Sequence, residues 1–148
     1  KTRPNRFGIF QVMMKLSLDQ VSQVCATIAQ ELPDGGIVVL QGDLASGKTT
    51  FTQAFATFLG IKEGVTSPTF SLQQHYGDKL FHYDLYNYGF EKFLSLGMLE
   101  ELERPGYHLI EWGDEMLIEW LKRIGMEFRI LKITKCDTNL RCYEVQCA

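Results

Sequence analysis

The sequence predicts a three-layer α/β domain with a mixed central sheet, parallel in part and antiparallel in part. Three observations point there. A short β-branched run, Gly36 to Gln41, leads through a glycine-bounded loop into a stripe of apolar residues at helical spacing. Segments of helical and strand period alternate along the chain, the pattern of strand–helix–strand units with parallel pairing. Two further pairs of strand-like runs are joined by turns of about three residues, which suit antiparallel neighbours.

The 148 residues argue for one domain with a core of its own. The formal net charge is −3, without a block of like charge, which disfavours tight, direct nucleic-acid binding through a basic face. Cys25, Cys136, Cys142 and Cys147 form no C-x-x-C pair and have no histidine at metal-ligand spacing. They read as reduced thiols of a cytoplasmic protein. No run of 18 apolar residues and no signal-like apolar segment is present, so neither a membrane span nor a secretory leader is expected. Residues 1–13 read as an appended or frayed extension before Met13-Met14, with a possible edge strand over Phe7 to Val12, and residues 14–148 as a single domain.

The elements follow in order. Ser17-Leu18-Asp19-Gln20 has the S-x-x-Q form of a capping box and opens a helix with Leu18, Val21, Val24, Cys25, Ile28 and Leu32 on one face. Pro33 to Gly36 ends it and turns into the first central strand. The helix after the glycine loop carries Phe51, Ala54, Phe55, Phe58 and Leu59 inward and stops at Gly60. Ser67-Pro68-Thr69 reads as a strand start or loop, because Pro68 cannot donate to a ladder. Phe70 to Tyr76 and Leu80 to Leu85 read as a hairpin across Gly77-Asp78-Lys79. Short helices follow over Phe90 to Leu96 and Gly97 to Leu102. Tyr107 to Trp112 is an apolar strand, and the next helix points Leu117, Trp120, Leu121 and Ile124 inward before Gly125. Met126 to Thr134 and Arg141 to Cys147 close the chain as a second hairpin.

The chemistry centres on Gly42-Asp43-Leu44-Ala45-Ser46-Gly47-Lys48-Thr49, which reads G-x-x-x-x-G-K-T, a phosphate-cradling P-loop. Gly42 and Gly47 let the backbone bend so that successive N–H groups of Asp43, Leu44, Ala45 and Ser46 point at phosphate oxygens. The helix beginning near Lys48 and Thr49-Thr50 adds the positive end of its dipole. The Lys48 ammonium reaches outer phosphates, and the Thr49 hydroxyl suits Mg²⁺. Asp84 ends a largely apolar strand, where a carboxylate can hold Mg²⁺ or orient water. Its plain alternative is a solvated strand-end acid. His82 shares its face and reads more readily as a packed or hydrogen-bonded imidazole. Glu111 ends the apolar run Tyr107 to Ile110, as the metal-side acid of a nucleotide site does, unless it merely charges the next helix. Thr69 is either an ordinary strand residue or a phosphate-sensing loop hydroxyl.

Four blocks together resemble the small bacterial P-loop ATPases of the TsaE family, also called YjeE. They are Gly42-Asp43-Leu44 with Gly47-Lys48-Thr49-Thr50-Phe51, Ser67-Pro68-Thr69-Phe70, His82-x-Asp84-Leu85-Tyr86 and Ile110-Glu111-Trp112. The resemblance spans about Met14 to Cys147. It implies the P-loop NTPase fold, ATP as nucleotide, and a weak ATPase that switches two partner proteins, TsaD and TsaB. That complex makes threonylcarbamoyladenosine in transfer RNA, so contact with the RNA is indirect. By resemblance, Thr49 and Glu111 ligate Mg²⁺, Asp84 is the catalytic or metal-associated acid, Thr69 lies in a switch-like loop, and Trp112 lies beside the nucleotide. The helix entered at Ser17 lies near the base. Two positions depart from the family pattern: Ala45 stands for a usual glycine, and Asn87 for an arginine, with Arg129 and Arg141 as the candidates to supply that cation.

Two other classes are weighed against this reading. A P-loop small-molecule kinase needs an arginine-bearing lid, and Lys122 to Gly125 is too short for one. A GTP switch needs an N-K-x-D base-reading segment, which is missing. A nucleotide-dependent interaction module without significant turnover is the remaining alternative.

Overall fold

The computed structural model describes residues 3–4, 10–42, 47–62, 65–70 and 72–147. The strands are β1 (Arg3–Pro4), β2 (Phe10–Leu16), β3 (Gly35–Gln41), β4 (Val65–Phe70), β5 (Gln73–Tyr76), β6 (Leu80–Asp84), β7 (Gly106–Glu111), β8 (Phe128–Asp137) and β9 (Leu140–Cys147). The helices are α1 (Ser22–Glu31), α2 (Lys48–Phe58), α3 (Phe90–Ser95), α4 (Met98–Leu102) and α5 (Glu115–Arg123). All the described strands join one sheet in the order β1-β2-β9-β8-β3-β7-β6-β5-β4. The β6–β7, β7–β3 and β3–β8 pairs are parallel; the flanking pairs are antiparallel. The mixed three-layer α/β fold read from the sequence is the fold observed.

β3 lies in the middle because its residues are apolar on both faces. Val38 and Leu40 enter one core with α1 and α2, while Ile37 and Val39 enter the other with α3, α4 and α5. β6 and β7 alternate the same way: Leu80 and Leu109 face the α1/α2 core, and Phe81, Tyr83 and Ile110 face the opposite one. His82, Asp84 and Glu111 therefore project on the α1/α2 side, the side of the helix that follows the glycine loop.

α2 is fixed by Phe51 and Phe55, both fully buried and stacked at 5.7 Å, with Tyr107 edge-on to Phe55 at 5.0 Å. Burying each phenyl ring contributes roughly 1.5–3 kcal/mol. Gly60, with φ of 75°, ends that run as expected. Three outward-facing residues correct the sequence reading. Phe58 is 41 % exposed and Ile124 is 42 % exposed, because both sit at the ends of their helices, beyond the reach of the sheet. Leu18 is 66 % exposed because Leu18–Gln20 is a separate 3-10 turn, and α1 starts only at Ser22. The capping contact itself is present, with Ser17 N–H donating to Gln20 Oε1 at 3.0 Å.

The run Phe70 to Tyr76 is not one strand. Phe70 ends β4, and the chain turns at Leu72 before β5 begins. Ser67-Pro68-Thr69 lies in β4, at the end of the sheet, where pairing with β5 is irregular between Thr66 and Phe70. An edge position is where a proline is tolerated in a ladder. Toward the other edge, β2 pairs with β9 from Gln11 to Leu16 and with the short outer strand β1, so sheet structure extends N-terminal to Met13. Residues 5–9 lie outside the described part.

A buried polar network ties β5, β6 and β7 to α4. Gln73 donates to Glu101 Oε1 at 2.9 Å and to Tyr83 Oη at 3.3 Å. The Tyr83 hydroxyl donates to His108 Nδ1 at 2.7 Å, and His108 Nε2–H donates to the Arg104 carbonyl at 2.7 Å. The neutral ring thus uses both nitrogens. Burial pushes His108 down from 6.5 to about 4, outweighing the Arg104 carbonyl, which favours the protonated ring. The unfolded chain takes up a proton below about 6.5 that the native ring refuses until about 4. Stability contributed at neutral pH is therefore lost as pH falls through this window, by about 3 kcal/mol at 1.36 kcal/mol per pH unit. Urea unfolding at pH 7.5 and pH 4.5 should show this loss, and His108→Asn, which does not titrate, should shrink it.

Candidate functional site

The site forms where the C-terminal ends of β3, β6 and β7 meet the N-terminus of α2, the usual ligand end of such sheets. Gly42 follows β3 with φ of 148°, and Gly47 precedes α2 with φ of 105°, both values that disfavour a side chain. Asp43, Leu44, Ala45 and Ser46 lie outside the described residues, as does the question of Ala45 in place of glycine. The backbones of Thr49 and Thr50 form the first turn of α2. The side chains of Thr49 and Thr69 are outside the described part of the structure. The Thr69 backbone runs in edge strand β4 and not in a loop.

Lys48 is 4 % exposed. Its Nζ donates to the Gly42 carbonyl at 2.7 Å and lies 3.5 Å from the centroid of the Trp112 ring. This cation–π contact joins the glycine loop to the end of β7. Trp112 is the one described non-glycine residue with positive φ, at 62°. An indole-bearing residue in the left-handed region stores strain, which the packing around it must maintain. Tyr86 contacts the same ring edge-on at 5.0 Å.

Asp84 and Glu111 are register partners at the ends of β6 and β7, so the sheet brings the two predicted acids together. Their surroundings differ. Asp84 is exposed, and its Oδ1 accepts the Tyr86 N–H at 3.0 Å, which shapes the turn after β6. Glu111 is 6 % exposed, and its Oε2 accepts a hydrogen bond from His82 Nε2. Among the described residues no hydrogen bond reaches Oε1 of Glu111. A buried carboxylate oxygen without a donor is a position that a hard cation fits. Among the described residues no three metal-type side chains cluster.

Sequence reasoning undervalued two parts of this site. His82 is the hydrogen-bonded imidazole that the sequence favours, but its partner, Glu111, is not legible there; its alternation with Asp84 beside a strand ending in Glu111 is the available signal. The other part is a cavity of about 560 Å³ beside the glycine loop, lined in part by Leu18, Gly47, Thr50, Asn139, Arg141 and Tyr143. It gathers the turn before α1, the start of α2 and the β8–β9 hairpin, which are far apart in sequence. Of the two arginines considered for the Asn87 departure, only Arg141 lines this cavity. Arg129 is bound to Glu31 at 3.1 Å, at the end of α1.

Comparison with known proteins agrees with this arrangement. The family model for threonylcarbamoyl adenosine biosynthesis protein TsaE matches residues 16–141. The tRNA threonylcarbamoyladenosine biosynthesis protein TsaE of Bacillus subtilis is 36 % identical over 124 residues, which is 76 % of each chain. The protein of the same name from Treponema pallidum is 41 % identical over 95 residues, 62 % of this chain and 70 % of its own. The crystal structure of YdiB from Bacillus subtilis superposes with a TM-score of 0.68 at 27 % identity, covering 94 % of this chain and 86 % of that one. Among the described residues no helix is long and apolar enough to cross a membrane. With the glycine loop, the two strand-end acids and the family match in agreement, the chain belongs to the TsaE family, named for the biosynthesis of threonylcarbamoyladenosine in tRNA.

Proposed function

We propose that this chain is a cytoplasmic, Mg²⁺-dependent ATPase, weak alone, that switches the TsaD–TsaB complex during threonylcarbamoyladenosine modification of tRNA. The observation that carries the reading is the convergence of Lys48 with the end of β7. The lysine of the glycine loop lies on Trp112, next in sequence to the buried acid Glu111.

In this reading the phosphates lie over the N–H groups of the loop from Gly42 to Gly47 and the first turn of α2, with Lys48 on the outer ones. Glu111 holds Mg²⁺ through its unbonded oxygen, and the Thr49 hydroxyl completes the protein's share. The ion supplies charge neutralisation at the phosphate oxygens. Asp84, its Oδ1 committed to the turn, orients the attacking water with its other oxygen. The base and ribose occupy the 560 Å³ cavity, where exposed Leu18 offers an apolar surface and Arg141 a cation. Thr69 couples the γ-phosphate to edge strand β4, whose displacement alters the surface offered to partners. Contact with tRNA is through the complex, which agrees with the net charge of −3.

The test is ATP hydrolysis by the purified chain, alone and with TsaD, TsaB and substrate tRNA. Turnover should rise in the full mixture and fall at least 100-fold in Glu111→Ala, with ADP binding within a few-fold of wild type. Equal turnover in wild type and Glu111→Ala contradicts the metal assignment. Turnover that depends instead on a small-molecule acceptor makes the protein a kinase.

A further inference from the structure

We propose that His82 is a positioning residue for Glu111: its imidazole Nε2–H holds one carboxylate oxygen and leaves the other for the metal ion. The inference rests on the reading of Glu111 as the metal-holding acid and adds the group that fixes it. His82 pairs in register with Leu109 on β7, and Asp84 with Glu111, so His82 sits diagonally beside Glu111 on the α1/α2 side of the sheet. Both side chains are buried, His82 at 9 % and Glu111 at 6 % exposure. An ionised carboxylate only accepts, so the bonded Nε2 carries the proton. Among the described residues His82 gives Glu111 its one side-chain hydrogen bond.

A buried glutamate has three rotatable bonds and needs partners to stay in one rotamer. Here β6 supplies the partner, so the geometry of β7's acid depends on a residue of the neighbouring strand. Outer groups that orient a metal ligand in this way typically change metal affinity 10–100-fold when removed. The same strand carries Asp84 two residues later, so β6 orders one acid directly and orients the other through His82.

The experiment measures Mn²⁺ affinity of the protein–ADP complex by electron paramagnetic resonance, and ADP affinity without metal by calorimetry. His82→Ala should weaken Mn²⁺ binding 10–100-fold and leave metal-free ADP affinity within about twofold. His82→Gln, whose Nε2 matches the reach of the imidazole Nε2, should restore most of the Mn²⁺ affinity. His82→Asn, whose amide matches Nδ1 instead, should not. A merely structural imidazole would not separate these two amides. Wild-type Mn²⁺ affinity in His82→Ala overturns the proposal, as does equal affinity in the Gln and Asn variants, which also decides the matter if the alanine variant does not fold. Glu111→Gln separates this from the underlying reading. Its loss of Mn²⁺ affinity, with His82→Ala unaffected, removes the His82 role alone, whereas its retention of Mn²⁺ affinity overturns both.

Discussion

Lys48→Ala should abolish measurable ATP binding while the protein stays folded. The ammonium lies at the mouth of the glycine loop, between the Gly42 carbonyl and the Trp112 ring. Charge-assisted hydrogen bonds are worth about 1.5–3 kcal/mol each. Removing two such bonds to phosphate costs about 3–6 kcal/mol, or roughly 10²–10⁴-fold in Kd. The helix dipole and loop amides that remain are too weak to compensate. The fold should survive because alanine is a good helix former and α2 is anchored by Phe51 and Phe55. Calorimetric titration with ATP and Mg²⁺ reads the affinity, and a thermal melt reads the fold. Wild-type ATP affinity in Lys48→Ala would place the nucleotide elsewhere.

Gly106→Ala should be among the most damaging small substitutions for stability. Gly106 starts β7 with φ of 125°, and an added Cβ would lie 2.4 Å from the carbonyl oxygen of Lys79, the residue before β6. Its register partner Gly35 is in the same condition: φ is 95°, and the added Cβ would meet the Gly106 carbonyl oxygen at 2.4 Å. The obstacle in each case is backbone, which cannot rotate aside. Backbone strain of about 1–3 kcal/mol adds to an overpacking cost of about 1–3 kcal/mol. Such a loss is a large share of a typical stability of about 5–15 kcal/mol and should lower Tm by roughly 10 °C or more. Gly125→Ala is the control. Its φ is 76° but no atom lies within 4 Å of the added Cβ, so about 1 kcal/mol is expected. Equal Tm losses in the two variants would mean that φ alone, and not strand approach, sets the glycine requirement.

The parts of the fold written locally were legible. β3, the glycine loop and α2 follow each other directly, and periodicity alone places them. The hairpin turns, the two short helices and the strand ending in Glu111 were equally local. The errors fell where neighbours decide. Leu18 fits the helix period, yet the 3-10 turn sets it outside α1 and beside the cavity. Ser67-Pro68-Thr69 reads as a strand start or loop until the sheet shows an edge that can carry a proline. His82 and Glu111 are 29 residues apart, so their bond is a property of parallel pairing and not of any motif spacing. The positive φ of Trp112 has no sequence signature, and the residues that its indole meets, Lys48 and Tyr86, come from other elements.

The most direct test of the account is titration of the wild-type chain with ATP, with and without Mg²⁺. The account predicts saturable binding of one ATP per chain, tightened by Mg²⁺, with the Mg²⁺ effect lost in Glu111→Gln. Absence of ATP binding in the presence of Mg²⁺, or binding indifferent to both the ion and Glu111, would contradict it.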